Sequence, residues 1–186
     1  MKKKLIIGLF CCIVLIQLII PLSMIIKRES VLKNGEQFKF ITAPVDPYDA
    51  FRGKYVALRI AKDNVPVTGG TLFNNGQSVY AHIAVDTQGF ARLTNVTTTK
   101  PKGVPYIQVN VRYTSRDKVY LDLPIDRYYM EENSALLAER AYIEHNRRDK
   151  QDAYVLVRVK DGFVVIEGLY VGGKRVEDVV KSFKNN

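Results

Sequence analysis

Three ionisable side chains, Asp46, Asp49 and Arg52, crowd the head of the segment Asp46–Ile60, together with Pro47, Tyr48, Phe51, Gly53, Lys54, Tyr55 and Leu58. Carboxylates beside a guanidinium or an amine can move a proton and clamp an anionic group, the minimum equipment of a membrane-tethered hydrolase. Local structure offers a plainer account of the same residues. Asp46 before Pro47 suits a turn, because an aspartate oxygen accepts backbone N–H bonds. Gly53 allows a backbone angle or a close approach that a side chain forbids. A second concentration lies at Arg127, Tyr128, Tyr129 and Glu131. Tyrosines with an arginine suit a binding surface, and in a tyrosine-rich β domain they equally suit cross-strand packing. Asp49, Arg52, Tyr55, Arg127, Tyr128, Tyr129 and Glu131 are thus the candidate binding residues, with both accounts open.

Other chemistries find less in the chain. Asp46 and Asp126 stand in similar settings, Pro44-Val45-Asp46-Pro47-Tyr48 and Pro124-Ile125-Asp126-Arg127-Tyr128, which raises a carboxylate pair sharing a proton. Neither sits in the Asp-Thr/Ser-Gly setting of the aspartic proteases. His82 and His145 are the two histidines, and Cys11 and Cys12, the two cysteines, both fall in the N-terminal apolar run. That leaves the rest of the chain without a thiol nucleophile, a disulfide or a zinc–thiolate site. No Gly-x-Ser-x-Gly elbow is present, and Gly69-Gly70 and Gly172-Gly173 lack the neighbours of a phosphate-cradling loop. No metal, no cofactor and no catalytic residue is expected.

These residues need elements to position them. The 186 residues suffice for one domain and a short appendage. Lys2, Lys3 and Lys4 precede an uncharged run from Leu5 to Ile26, closed by Lys27 and Arg28. A helix needs roughly 20 apolar residues to cross a bilayer core. The run exceeds a usual signal-peptide core and no small-x-small site follows, so an uncleaved single-pass anchor is expected over 1–28. Lysines and arginines flank it almost evenly, so the charge rule decides little about orientation. A short tail before an unbroken signal-like helix favours an extracytoplasmic C-terminal domain. Taking Lys2, Lys3 and Lys4 from the formal +9 leaves +6, a mild excess that suits attraction to anionic headgroups. The basic residues are scattered, which argues against nucleic acid.

Residues 29–37 are expected as a polar connector and 38–186 as a mainly β domain with one main helix, an α+β chain. Alternation predicts strands over Gln37–Thr42, Lys54–Ile60, Val79–Val85, Phe90–Thr98, Ile107–Tyr113 and Val119–Leu123. Asp86-Thr87-Gln88-Gly89 and Asp161-Gly162 read as hairpin turns, the latter between strands Ala153–Lys160 and Phe163–Val171. A helix is expected from Asn133 to about Arg147, capped by Ser134, with a short terminal helix from Val176 to Phe183. Tyr80–Asp86 with Gly89-Phe90 echoes Tyr154–Lys160 with Gly162-Phe163, so two pseudo-repeated halves, 38–100 and 106–175, are a further expectation.

The Pro-x-Asp-Pro stretch followed by Arg52-Gly53-Lys54-Tyr55-Val56-Ala57-Leu58 resembles the signature of the GDYXXLXY proteins, with Asp46, Pro47, Arg52, Gly53, Tyr55 and Leu58 as the motif residues. Lys54 stands where that signature has Asp, and Ile60 where it ends in Tyr. The resemblance extends to Arg127-Tyr128-Tyr129 and to the hairpin Ala153–Val171 with Gly172. It implies a bacterial, membrane-anchored protein with an extracytoplasmic domain and no defined chemistry; an acid-dependent role would be lost with Lys54. The expected function is a non-enzymatic binding or assembly role at the membrane, in contact with the lipid bilayer and with a membrane or extracytoplasmic protein partner. The competing reading is the tethered hydrolase.

Overall fold

The computed structural model describes residues 2–43, 55–67, 73–147 and 150–184. The Asp46–Lys54 part of the motif segment, with Asp46, Pro47, Asp49, Arg52 and Gly53, lies outside them. The chain opens with α1, Lys2–Asn34, which is 33 residues long and carries Pro21 within it. At 1.5 Å per residue it measures about 50 Å. Most of its described apolar side chains from Ile6 to Ile26 are exposed, and α1 is long and apolar enough to cross a membrane. The last turns behave differently. Val31 is buried, and the Gly35 N–H closes the helix on the Val31 carbonyl at 2.8 Å. Residues 29–34, expected as a connector, are helical, and Gly35 alone separates α1 from the first strand.

Three antiparallel sheets follow. The first joins β1 (Glu36–Ile41), β9 (Tyr154–Lys160), β10 (Phe163–Val171) and β11 (Lys174–Arg175) in the order β1-β9-β10-β11. The second holds β3 (Asn64–Pro66), β4 (Ser78–Val85), β5 (Ala91–Thr97), β6 (Tyr106–Thr114) and β7 (Lys118–Asp122) in the order β3-β7-β6-β4-β5. The third is a pair, β2 (Tyr55–Ala57) with β8 (Arg127–Tyr129). Helix α2 (Glu132–His145) and helix α3 (Val176–Lys184) pack on one another.

Period-two alternation accounts for much of this. Phe38, Phe40 and Thr42 are buried on one face of β1 and its extension, and Ile107, Val109 and Val111 on one face of β6. Where alternation breaks, a bulge is the cause. The β4–β5 register shifts between His82 and Ile83, where β5 carries the extra residue, so Thr94 and Asn95 are exposed in succession, while Val85, expected inside, is exposed at the end of β4. A shift between Val111 and Tyr113 likewise leaves Tyr113 exposed. The strand expected over Lys54–Ile60 is paired only at Tyr55–Ala57, with Ile60 in a single bridge to Thr42. Asp161 and Gly162 both have positive φ, 51° and 80°, as a type I′ turn requires.

The two halves do not reappear as units. Their echo survives as two hairpins, β4–β5 and β9–β10, one in each large sheet. Yet β4 is flanked by β6, which follows it in sequence, and β9 by β1, which precedes it. The sheets are stitched at the β9–β10 turn instead. The Gln108 N–H donates to the Gly162 carbonyl at 2.9 Å, and Ile107 and Gly162 form a parallel bridge. One core runs through both sheets, with Val56, Val79, Val119, Val155 and Leu169 all fully buried.

Candidate functional site: the arginine–tyrosine face of the β2–β8 pair

The two concentrations singled out in the sequence meet in space. β2 pairs with β8 so that Tyr55 faces Tyr129, Val56 faces Tyr128, and Ala57 faces Arg127. Alternation then sorts them. Val56 and Tyr128 turn inward and are buried, while Tyr55, Tyr129 and Arg127 share the outer face. The Tyr55 and Tyr129 rings lie 5.6 Å apart at a tilt of 56°. The Arg127 guanidinium stands 5.2 Å over the Tyr55 ring and its Nε is 3.3 Å from Asp126 Oδ2. A guanidinium over a ring is held by the ring quadrupole, and this one stays open to solvent. The packing account describes Tyr55 and Tyr129, a cross-strand pair, and Arg127 and Tyr129 are exposed beside it. A cavity of about 340 Å3 beside this face is lined by Arg28, Asp126, Arg127, Tyr129 and Phe163, among others.

Tyr128 serves the interior. Its hydroxyl donates to Glu177 Oε1 in the first turn of α3. Glu177 Oε2 is buried, accepts no hydrogen bond, and lies 3.5 Å from Arg175 Nε. Burial, and next the Glu177 carboxylate, push the Tyr128 pKa up to about 12, so the hydroxyl is a permanent donor near neutrality. Phenylalanine at this position removes the donor and leaves both carboxylate oxygens short of partners. Tyr128→Phe is expected to cost about 1–3 kcal/mol in a urea titration of the full chain in detergent. Because the folded pKa lies above the ordinary value of 10, this contribution is present below pH 10 and is lost as pH rises toward 12. The variant lacks that part of the alkaline slope.

Glu131 has a structural place just past the end of β8. It is the N-cap residue of α2, its carbonyl accepting the Ser134 and Ala135 N–H groups at 2.9 Å. Ser134, expected as the cap, lies inside the helix with its hydroxyl 3.1 Å from Glu131 Oε2. The histidines are occupied separately. His82 Nε2 is 3.5 Å from Thr97 Oγ1, and His145 Nδ1 pairs with Asp152 at 2.7 Å. Asp126 is exposed, and its proposed partner Asp46 lies outside the described residues.

The family model for GDYXXLXY protein matches residues 17–169, most of the chain. This chain belongs to the GDYXXLXY family. No curated protein and no solved structure matches it.

The GDYXXLXY pattern falls on Gly53–Ile60, and its described part is a clasp. Tyr55 turns out to the face described above. Leu58 is buried and its N–H donates to the Asp126 carbonyl at 2.8 Å, just ahead of β8. Ile60 is buried opposite Thr42, with the Ala43 N–H on the Arg59 carbonyl at 2.8 Å and the Ala61 N–H on the Ile41 carbonyl at 3.0 Å. In the GDYXXLXY protein this segment therefore ties the end of β1 to the start of β8. Isoleucine in place of the final tyrosine fits that buried seat. The Tyr142 hydroxyl adds a bond from α2 to the Ala43 carbonyl at 3.0 Å, and buried Asn146 and Thr42 bond to each other below it.

Two parts of this arrangement escaped sequence reasoning. Arg175 and Glu177 reach Tyr128 because Gly172 and Gly173, both at positive φ, fold the chain back into the two-residue strand β11. The glycine pair was the available signal for that turn. The Asp63–Arg112 ion pair, 3.0 Å long with Asp63 buried, joins β6 to the residue before β3, and no local pattern announces it.

Proposed function

We propose that this GDYXXLXY protein is a single-pass membrane protein whose C-terminal domain is extracytoplasmic and has a non-enzymatic binding or assembly role. Its partner is a membrane or extracytoplasmic protein that docks on the Tyr55–Arg127–Tyr129 face. The observation that carries this reading is the exposure of Arg127 and Tyr129, packed beside half-buried Tyr55, on the pair of strands that the family motif helps to build. Arginine and tyrosine supply contact area and hydrogen bonds at low entropic cost and dominate protein–protein hot spots. Tyr129, the most open of the three at 65% exposure, is free to enter a partner's pocket.

A photo-crosslinking amino acid at position 129, in the full chain in its native membrane, is expected to yield one reproducible adduct. Arg127→Glu abolishes that adduct, and the same probe at Lys174 does not form it. No adduct above the Lys174 control, or one indifferent to Arg127→Glu, removes the docking face. Sidedness is read separately from Ser115→Cys, at the exposed β6–β7 turn. With Cys11 and Cys12 confined to α1, an impermeant maleimide labels intact cells at that position if the domain lies outside.

A further inference from the structure

Where α1 leaves its apolar run, it stands beside the turn that joins β9 to β10. The wedge between them is a cavity of about 510 Å3, within the range of small-molecule sites. Ile26, Val31 and Phe163 wall it with apolar surface, and Lys27, Ser30, Lys160 and Asp161 bring polar groups to it. Lys27 is the first charge after the run that ends at Ile26. The wedge therefore straddles the level at which apolar side chains give way to charged ones. Lys27 and Ser30 are three residues apart, so they share the helix face turned to the hairpin.

The charge at this level is incompletely neutralised. Lys27 Nζ sits 4.4 Å over the Phe163 ring, and Lys160 Nζ donates to Ser30 Oγ at 3.0 Å. Among the described residues no carboxylate forms an ion pair with Lys27, Arg28 or Lys160. Asp161, the carboxylate at the rim, lies 4.0 Å from Lys100 Nζ. On the far side of Lys27 and Phe163, a cavity of about 630 Å3 carries Asp122 and Asp126, which disfavour an anion there, while Asp161 borders both cavities. Phe163, 40% exposed at the hairpin tip, is placed as aromatic residues are at membrane–water interfaces.

We propose that this wedge binds the headgroup of an anionic phospholipid from the bilayer that α1 spans, with Lys27, Ser30 and Lys160 holding its phosphate. The inference rests on the membrane-spanning reading of α1. The apolar wall of Ile26 and Phe163 continues onto the exposed face of α1, the path the acyl chains follow. A zwitterionic headgroup brings its own cation against the lysines, so an anionic one is favoured.

The full chain is reconstituted in vesicles of equal phosphatidylglycerol and phosphatidylcholine, extracted in mild detergent, and its retained lipid counted by native mass spectrometry. One phosphatidylglycerol is expected to remain in preference to phosphatidylcholine. Lys27→Gln and Lys160→Gln each weaken that retention about fivefold, the effect of one cation near a charged surface, while Lys174→Gln leaves it unchanged. Equal retention of the two lipids, or selectivity that survives the double variant, overturns the proposal. Displacement of the lipid by inorganic phosphate also overturns it, as a site for the free anion. Carbonate-resistant insertion is scored on the same vesicles. A chain that inserts without discriminating sinks the headgroup site alone, whereas one that fails to insert sinks the spanning reading and the site together.

Discussion

Phe40→Ala is expected to remove about 3–5 kcal/mol of stability, the usual cost of emptying a buried aromatic site. Phe40 is 1% exposed on β1, directly opposite Val155 of β9, which is fully buried. Little slack exists for the site to collapse, because β1 is held by β9 along its whole length from Glu36 to Ile41. The loss also bears on α1, since β1 follows it with one residue between. Urea denaturation of the full chain in detergent, followed by circular dichroism in the β-sheet region, gives the value. A shift below about 1 kcal/mol is a cost typical of a surface substitution, and it would mean that β1 is not packed as described.

The second large effect falls on the stitch between the sheets. Gly162 has a φ of 80°, and a Cβ built there meets Tyr106 Cε2 at 2.7 Å and Gln108 Cβ at 3.3 Å. Gly162→Val combines left-handed strain with overpacking, about 1–3 kcal/mol each, for an expected loss of about 2–6 kcal/mol. Gly89 supplies the comparison. It also has positive φ, 83°, but nothing lies within 4 Å of a Cβ added there, so Gly89→Ala suffers the backbone strain alone. If both variants lose the same amount, the contact with Tyr106 is not tight and the sheets are joined less firmly than the geometry implies.

What the sequence disclosed follows the range of each interaction. Alternation is local, so Phe38, Phe40, Ile107 and Val109 were assignable to the core from their spacing alone. Turn chemistry is local too, and Asp161-Gly162 marked its hairpin. Helix α1 was legible because its signal is length and apolarity. Bulges are not local in this sense. Tyr113 carries the pattern of a buried residue and is turned out by a bulge in β6 against its partner strand. Pairing across the chain is further out of reach, and nothing near Tyr55 announces that it will face Tyr129. The cap of α2 failed for another reason. Serine is the better capping type, yet the bend falls at Glu131, where the chain leaves β8. As for the motif, its described half proved to be a tie between β1 and β8, with Tyr55 alone of its described named positions turned outward.

The absence of a linker after α1 has a mechanical corollary. The helix runs to Asn34, Gly35 is bonded at its N–H to Val31 and at its carbonyl to Arg158 Nη1, and the sheet starts at Glu36. Helix and domain thus turn as one shaft and head. An α-helix advances about 100° per residue, so a single residue inserted between Arg28 and Asn34 swings the head by that bearing about the shaft. The compass direction of Arg127 and Tyr129 is therefore written into the length of α1.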